Sequence, residues 1–117
     1  MRKILIIIST LFIINSHSQD ILPLKERATF INKLQKDRLN NLLPELMEKT
    51  GIDMWVLIAR EYNEDPVIRT MLPSTWLNAR RRTILVIYNP GNGKNLETYA
   101  IARYDVGEVF KKMWDPE

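Results

Sequence analysis

The chain contains no cysteine, and its one histidine, His17, falls within the first eighteen residues. Without a thiol there is no disulfide, no thiolate metal site, no cysteine nucleophile and no anchor point for a lipid. Serine is almost as scarce, with Ser9, Ser16 and Ser18 near the start and Ser74 alone after them. Arg2 and Lys3 precede an apolar stretch over residues 4–14 that is broken only by Ser9 and Thr10, and Ser16-His17-Ser18 then supplies a small-x-small triplet. That order is the order of an export signal cleaved before Gln19. Its eleven residues, nine of them apolar, fall well short of the roughly 20 that a membrane-spanning helix requires. The expected location is therefore exported, periplasmic or secreted, with no stable membrane anchor.

Removing residues 1–18 leaves 99 residues, with 15 basic and 14 acidic side chains and a net charge of +1. Such a balance gives no reason to expect nucleic acid as a partner. No histidine remains, so neither a histidine metal site nor a Ser–His pair can be built. Carboxylates, lysines, arginines and tyrosines are the chemistry left. About 100 residues suffice for one domain with a modest core, held by packing alone.

Leu39, Leu42, Leu43, Leu46 and Met47 recur at helical spacing, and Ile31 and Leu34 extend the stripe backwards, which predicts an amphipathic helix over residues 26–49. Pro44 lies inside it and implies a kink or a restart, because it lacks the backbone donor; Gly51 supplies the stop. Residues 54–59 and 83–88 are continuous apolar runs, which is how strands covered on both faces read. The 23 residues between them, 60–82, are enough for a crossover with a helix, so the two strands are expected to be parallel. Asn89-Pro90-Gly91-Asn92-Gly93-Lys94 suits a turn, and residues 97–102 read as a strand returning antiparallel. The fold class is α/β, a mixed β-sheet with flanking helices. Val106, Val109, Phe110 and Met113, with Trp114 beside them, share one face of a short expected helix.

The segments that follow carry a family resemblance. They are Leu42-Leu43-Pro44-Glu45-Leu46-Met47, the block Gly51-Ile52-Asp53-Met54-Trp55-Val56-Leu57-Ile58-Ala59-Arg60-Glu61-Tyr62-Asn63-Glu64-Asp65-Pro66, and Ala79-Arg80-Arg81-Arg82-Thr83-Ile84-Leu85-Val86. Together with Arg103-Tyr104-Asp105-Val106-Gly107 and Trp114-Asp115-Pro116-Glu117, this chain resembles the start of exported Xaa-Pro aminopeptidases of the pita-bread metallopeptidase family, relatives of prolidase and creatinase. The resemblance implies a creatinase-like N-terminal domain over residues 19–117, joined in the parent to a catalytic pita-bread domain that is absent here. It also implies two divalent metal ions of manganese or zinc type in that catalytic domain, a peptide substrate, and a homo-oligomer. None of the family's metal ligands has a counterpart in these residues, so the resemblance implies no catalytic residue and no cofactor in this chain. The alternative is a free-standing periplasmic α/β binding or interaction module without an enzymatic parent.

Arg60, Glu61, Tyr62, Asn63, Glu64 and Asp65 leave the end of a buried run, the place where α/β sheets tend to carry ligands. With Arg80 they form the candidate substrate or interface set. The structural account of the same residues is an Asp65 cap, with Pro66 opening a helix and Asn63 in a turn. Glu61, Glu64 and Asp65 lack the regular oxygen spacing of a calcium loop. Arg80-Arg81-Arg82 reads as a solvated edge, as ion pairs to the acidic loop, or as a fork for a carboxylate; the resemblance keeps the fork open, because an N-domain arginine reaches the neighbouring subunit's active site in some members. Trp55 belongs to a buried run, and Trp76 is the better interface anchor. Export predicts that the mature protein begins at Gln19. Intact-mass analysis of periplasmic material checks this, and retention of residues 1–18 in a membrane fraction is the contrary result.

Overall fold

A computed structural model describes residues 21–114 of the chain. The expected export signal and the terminal Asp115-Pro116-Glu117 lie outside the described residues. The first half is a helical arm: α1 (Leu24–Asp37), a five-residue π-helical segment (Arg38–Leu42) and α2 (Leu43–Thr50). Pro44 is the reason for the change of winding. It stands in the first turn of α2, where its missing N–H costs nothing, and the Leu43 N–H just before it reaches back five residues to the Arg38 carbonyl. The expected restart at Pro44 is thus made by a widened turn. At the far end the Ile52 N–H closes on the Met47 carbonyl at 3.0 Å and stops the helix at Gly51. Among the described residues no helix is long and apolar enough to cross a membrane.

Behind the arm stands a four-stranded mixed sheet in the order β1-β2-β3-β4, made of β1 (Met54–Arg60), β2 (Arg82–Tyr88), β3 (Glu97–Ala100) and β4 (Lys111–Lys112). The α/β class and mixed sheet expected from the sequence are those observed. β1 and β2 are antiparallel, however, with Met54 opposite Tyr88 and Arg60 opposite Arg82, where a parallel crossover was expected. The length of the connection suggested a crossover, but its content does not supply one. Its helix, α3 (Pro66–Met71), has six residues and spans about 9 Å, whereas returning along a seven-residue strand takes about 23 Å. Instead the chain makes an excursion from one end of β1 and re-enters the sheet at that same end, where the Glu61 N–H meets the Arg81 carbonyl at 2.8 Å. The β2–β3 hairpin is antiparallel as expected, with Tyr88 opposite Glu97. Positive φ at Gly91, Asn92 and Gly93 turns the chain between the two strands. β3 and β4 are parallel.

Burial alternates along β1 and β2, which corrects the expectation that both faces are covered. Leu57, Ala59, Thr83, Leu85, Ile87 and Ala100 point inward, against Leu39, Leu43 and Met47 of the arm, Ile68, Met71 and Leu72 of the connection, and Val106 and Phe110. The opposite parity faces out, and Ile58 is 62% exposed. Three side chains fasten the arm to the connection. Gln35, buried, donates to the Met71 carbonyl; Arg38 Nη1 donates to Thr70 O at 3.0 Å; and Asn32 Oδ1 accepts from the Ser74 N–H at 3.0 Å. A buried amide that finds a carbonyl is stabilising mainly because either group alone would be left without a partner.

The C-terminal stripe is no helix. Val106 and Phe110 exchange backbone hydrogen bonds at 2.9 and 3.4 Å across a tight turn, and both side chains are buried. Gly107, at φ 67°, makes that turn, and a side-chain carbon there would stand 2.9 Å from Pro73 Cβ. The spacing of the apolar residues is equally that of a turn that tucks Val106 and Phe110 inward before β4. Asp105 anchors β4: Oδ1 accepts from the Lys112 N–H at 2.8 Å, and Oδ2 lies 3.3 Å from Lys111 Nζ. The Lys112 N–H, and then Lys111, hold the Asp105 carboxyl below its ordinary pKa of 3.8. A lowered carboxyl pKa adds stability above the unfolded value, and the contribution fades as pH falls below 3.8 and through the folded value. Asp105→Asn is therefore expected to lower the Tm at pH 7, by an amount that shrinks as the pH is taken below 3.8, read by thermal melts of both proteins across that range.

Candidate functional site

At the end of the sheet where β1 exits and β2 enters, the backbone carries two residues in left-handed conformations that glycine ordinarily takes. Tyr62 has φ 65° and Arg81 φ 46°. Each such residue costs on the order of 1 kcal/mol. They are held there because the Glu61 N–H bonds the Arg81 carbonyl and the Asn63 N–H returns to the Arg60 carbonyl at 3.0 Å. The strained pair brackets a groove of about 790 Å³ lined by Arg60, Glu61, Tyr62, Arg81, Arg82, Ile84, Ile101 and Trp114.

Arg60 and Arg82 are direct cross-strand partners. Like charges placed opposite each other destabilise an antiparallel pair by a few tenths of a kcal/mol up to about 1. The ion pairs among the described residues are Lys36–Glu108 and Lys111–Asp105, so neither arginine has its charge met there by a carboxylate. Tyr62, 87% exposed, lines the groove. The Arg103 guanidinium lies 5.4 Å from the centre of the ring of Trp114, another lining residue. The groove thus combines three arginines with the Glu61 carboxylate and the apolar side chains of Ile84, Ile101 and Trp114, an excess of positive charge suited to a carboxylate or to the acidic end of a peptide.

The candidate set from the sequence is divided by the fold. Arg60, Glu61 and Tyr62 line the groove, and Asn63 closes the turn beneath them. Glu64 and Asp65 do other work. Glu64 Oε1 accepts from the Ala79 N–H at 3.0 Å, and Asp65 Oδ1 accepts from the Ile68 N–H at 2.8 Å as the cap of α3. Arg80 lies away from the groove, its guanidinium 4.8 Å from the centre of the Trp76 ring, which in turn meets Tyr104 edge-on at 6.1 Å. Arg81 and Arg82, from the basic run that the sequence reads as an edge, as ion pairs or as a carboxylate fork, line the groove in place of Arg80, and Ile84, Ile101 and Trp114 join them without any signal in the sequence. Arg82 has the parity of Ile84 and Val86 rather than of the core residues Leu85 and Ile87, a signal hidden because both parities of the strand are apolar.

Among the described residues no group of three or more His, Asp or Glu side chains is placed to hold a metal ion. The acidic loop does not fit one either, since Glu64 and Asp65 each spend an oxygen on a backbone N–H. Comparison with family models, curated proteins and solved structures found no match for this chain. The division of labour is testable by urea denaturation. Asp65→Ala is expected to destabilise the fold by about 1 kcal/mol through loss of the α3 cap. Arg60→Ala and Arg82→Ala, both exposed, should stay within about 0.5 kcal/mol of the parent or gain slightly from relief of repulsion.

Proposed function

We propose that this chain is the non-catalytic N-terminal domain of an exported metallo-aminopeptidase of the Xaa-Pro type, and that it serves oligomerisation and the walling of an active site carried elsewhere. The resemblance of residues 42–117 to the start of those enzymes motivates the reading. The observation that carries it is the groove: its arginines and its strained turn come from the Gly51-to-Pro66 and Ala79-to-Val86 blocks that bear the resemblance. Strain retained at an exposed, charged end of a sheet suits a contact surface better than a purely structural turn.

In this reading Arg60, Arg82 and Tyr62 meet a substrate terminus or a neighbouring subunit, and the catalytic domain of the same polypeptide supplies the two divalent metals, of manganese or zinc type. Hydrolysis belongs, on this reading, to that domain, to which the resemblance assigns the metals and the activated water. The chain by itself is then expected to show no turnover of Xaa-Pro peptides and no tight two-metal binding, assayed by peptide hydrolysis and by calorimetric titration with manganese or zinc.

The genomic reading frame beyond codon 117 is the direct test. Continuation into a domain bearing histidine and clustered carboxylates supports the proposal; a stop codon there favours the free-standing periplasmic module. In the full-length enzyme Arg60→Ala should raise KM about tenfold, the equivalent of one charge-assisted hydrogen bond, or weaken the oligomer with kcat retained. Arg80→Ala, whose guanidinium lies over Trp76, is the comparison. Steady-state kinetics and sedimentation read both; unchanged KM and assembly in Arg60→Ala is the contrary result.

A further inference from the structure

Glycine follows asparagine at one place in the sequence, Asn92-Gly93, and the fold puts that pair at the tip of the β2–β3 hairpin. Both residues are exposed and both have positive φ, 53° and 69°. The Lys94 N–H closes the turn on the Gly91 carbonyl at 3.1 Å. Two left-handed residues in that order are what an Asn-Gly pair adopts most readily, which explains its presence in a hairpin. The same pair carries a reactivity that the turn does not use. The side-chain carbonyl carbon of an asparagine lies within reach of the backbone nitrogen that follows it, and glycine has no side chain to obstruct the approach. The Gly93 N–H donates no hydrogen bond among the described residues, and a carbon added at Gly93 would meet nothing within 4 Å.

The other described asparagines are protected, each by a local cause. Asn32, Asn40 and Asn41 lie in the helical arm, where the backbone is fixed by helical hydrogen bonding. Asn78 precedes Ala79, whose N–H donates to Glu64 Oε1 at 3.0 Å. Asn89 precedes Pro90, which has no N–H to lose, and its own Oδ1 accepts from the Gly91 N–H at 3.0 Å. Asn63 and Asn95 are followed by Glu64 and Leu96, whose side chains crowd the nitrogen that would attack.

We propose that Asn92 is a site of spontaneous covalent modification, converting to aspartate and isoaspartate in the folded protein. Hydroxide removes the Gly93 N–H proton, the nitrogen bonds to Asn92 Cγ, and the Cγ–Nδ2 bond breaks, so that ammonia leaves with a proton taken from water. The product is a five-membered cyclic imide. Water then opens the ring on one of two sides. Opening at Cγ leaves an ordinary aspartate; opening at the backbone carbonyl carbon of Asn92 leaves a chain that runs through Cβ and Cγ. In sum one water enters and one ammonia departs. Ring closure needs the tip to open briefly, and the single backbone bond from Lys94 to Gly91 makes that opening local. Aspartate suits the same turn. Isoaspartate lengthens the backbone by one carbon between Gly91 and Lys94, and so loosens the short ladder of β2 and β3, which runs from Leu85 opposite Ala100 to Tyr88 opposite Glu97. The proposal rests on the hairpin alone and holds for an accessory domain and for a free-standing module alike.

The test holds the full chain in buffer at about pH 8 and follows it by brief tryptic digestion and mass spectrometry. The peptide of residues 83–94 is expected to gain about 1 Da, as two chromatographically separate products, before any other asparagine-bearing peptide changes. Fragmentation should place the gain at Asn92 and not at Asn89. The rate should rise with pH, because the attacking nitrogen must first lose its proton. Gly93→Ala should slow the conversion at least about tenfold, since a methyl group crowds that nitrogen. Asn92→Asp should show no gain and should melt close to the fresh parent, with the isoaspartate fraction of aged protein melting lower. The time course uses the unaltered chain, so it decides the matter whether or not each variant folds. A segment 83–94 that stays unchanged in the folded protein while the isolated peptide converts overturns the proposal. So does an earlier gain at any other asparagine, and so does an isoaspartate fraction that melts with the fresh parent.

Discussion

Seven consecutive cross-strand pairs join β1 to β2, from Met54 opposite Tyr88 to Arg60 opposite Arg82, and the rest of the molecule is arranged around that ladder. Because side chains alternate along a strand, the register decides in one step which residues form the core and which look outward; a slip of one residue would exchange the two sets. The register sends Leu57, Ala59, Leu85 and Ile87 inward, to meet the helical arm and the buried pair Val106 and Phe110. It sends Val56, Ile58, Ile84 and Val86 outward, and it sets Arg60 beside Arg82. Core, groove and open face therefore share one cause.

The excursion between the two strands does a second job. By leaving and re-entering at the same end of the sheet it brings residues 60–62 against residues 81 and 82, which 18 intervening positions (63–80) separate in sequence. Closing such a loop costs entropy. The cost is offset by many local ties: the Asp65 cap, the Glu64 bond to Ala79, the Thr83 hydroxyl bonded to the Arg80 N–H at 3.1 Å, and the burial of Ile68, Met71 and Leu72. Gln35, Arg38 and Asn32 reach across from the arm to hold the same segment. With its base secured this way, the turn at Tyr62 and Arg81 can keep its left-handed backbone.

An exposed cationic end and an exposed apolar face on one small sheet have a common meaning for function. Recognition needs apolar area for affinity and a few charges for orientation, and the outward side chains offer both. The accessory-domain reading draws on these same surfaces and depends on the family resemblance.

Much of the local structure was legible in the residues themselves. The 3.6-residue recurrence of Leu39, Leu43 and Met47, the turn-forming Asn89–Lys94 stretch, and Asp65 followed by Pro66 each act over a few positions, and local sterics and hydrogen bonding settle them. The mixed α/β class followed from the same signals. What the residues alone did not determine was every outcome that depends on distant partners: whether β1 and β2 run parallel, which side of an all-apolar strand is covered, and whether Val106 and Phe110 lie on a helix or in a turn. A strand apolar on both faces reads alike whether a second layer covers it or not. Only packing against the arm, and the pairing of Arg60 with Arg82 across the sheet, decided which side became core and which became surface.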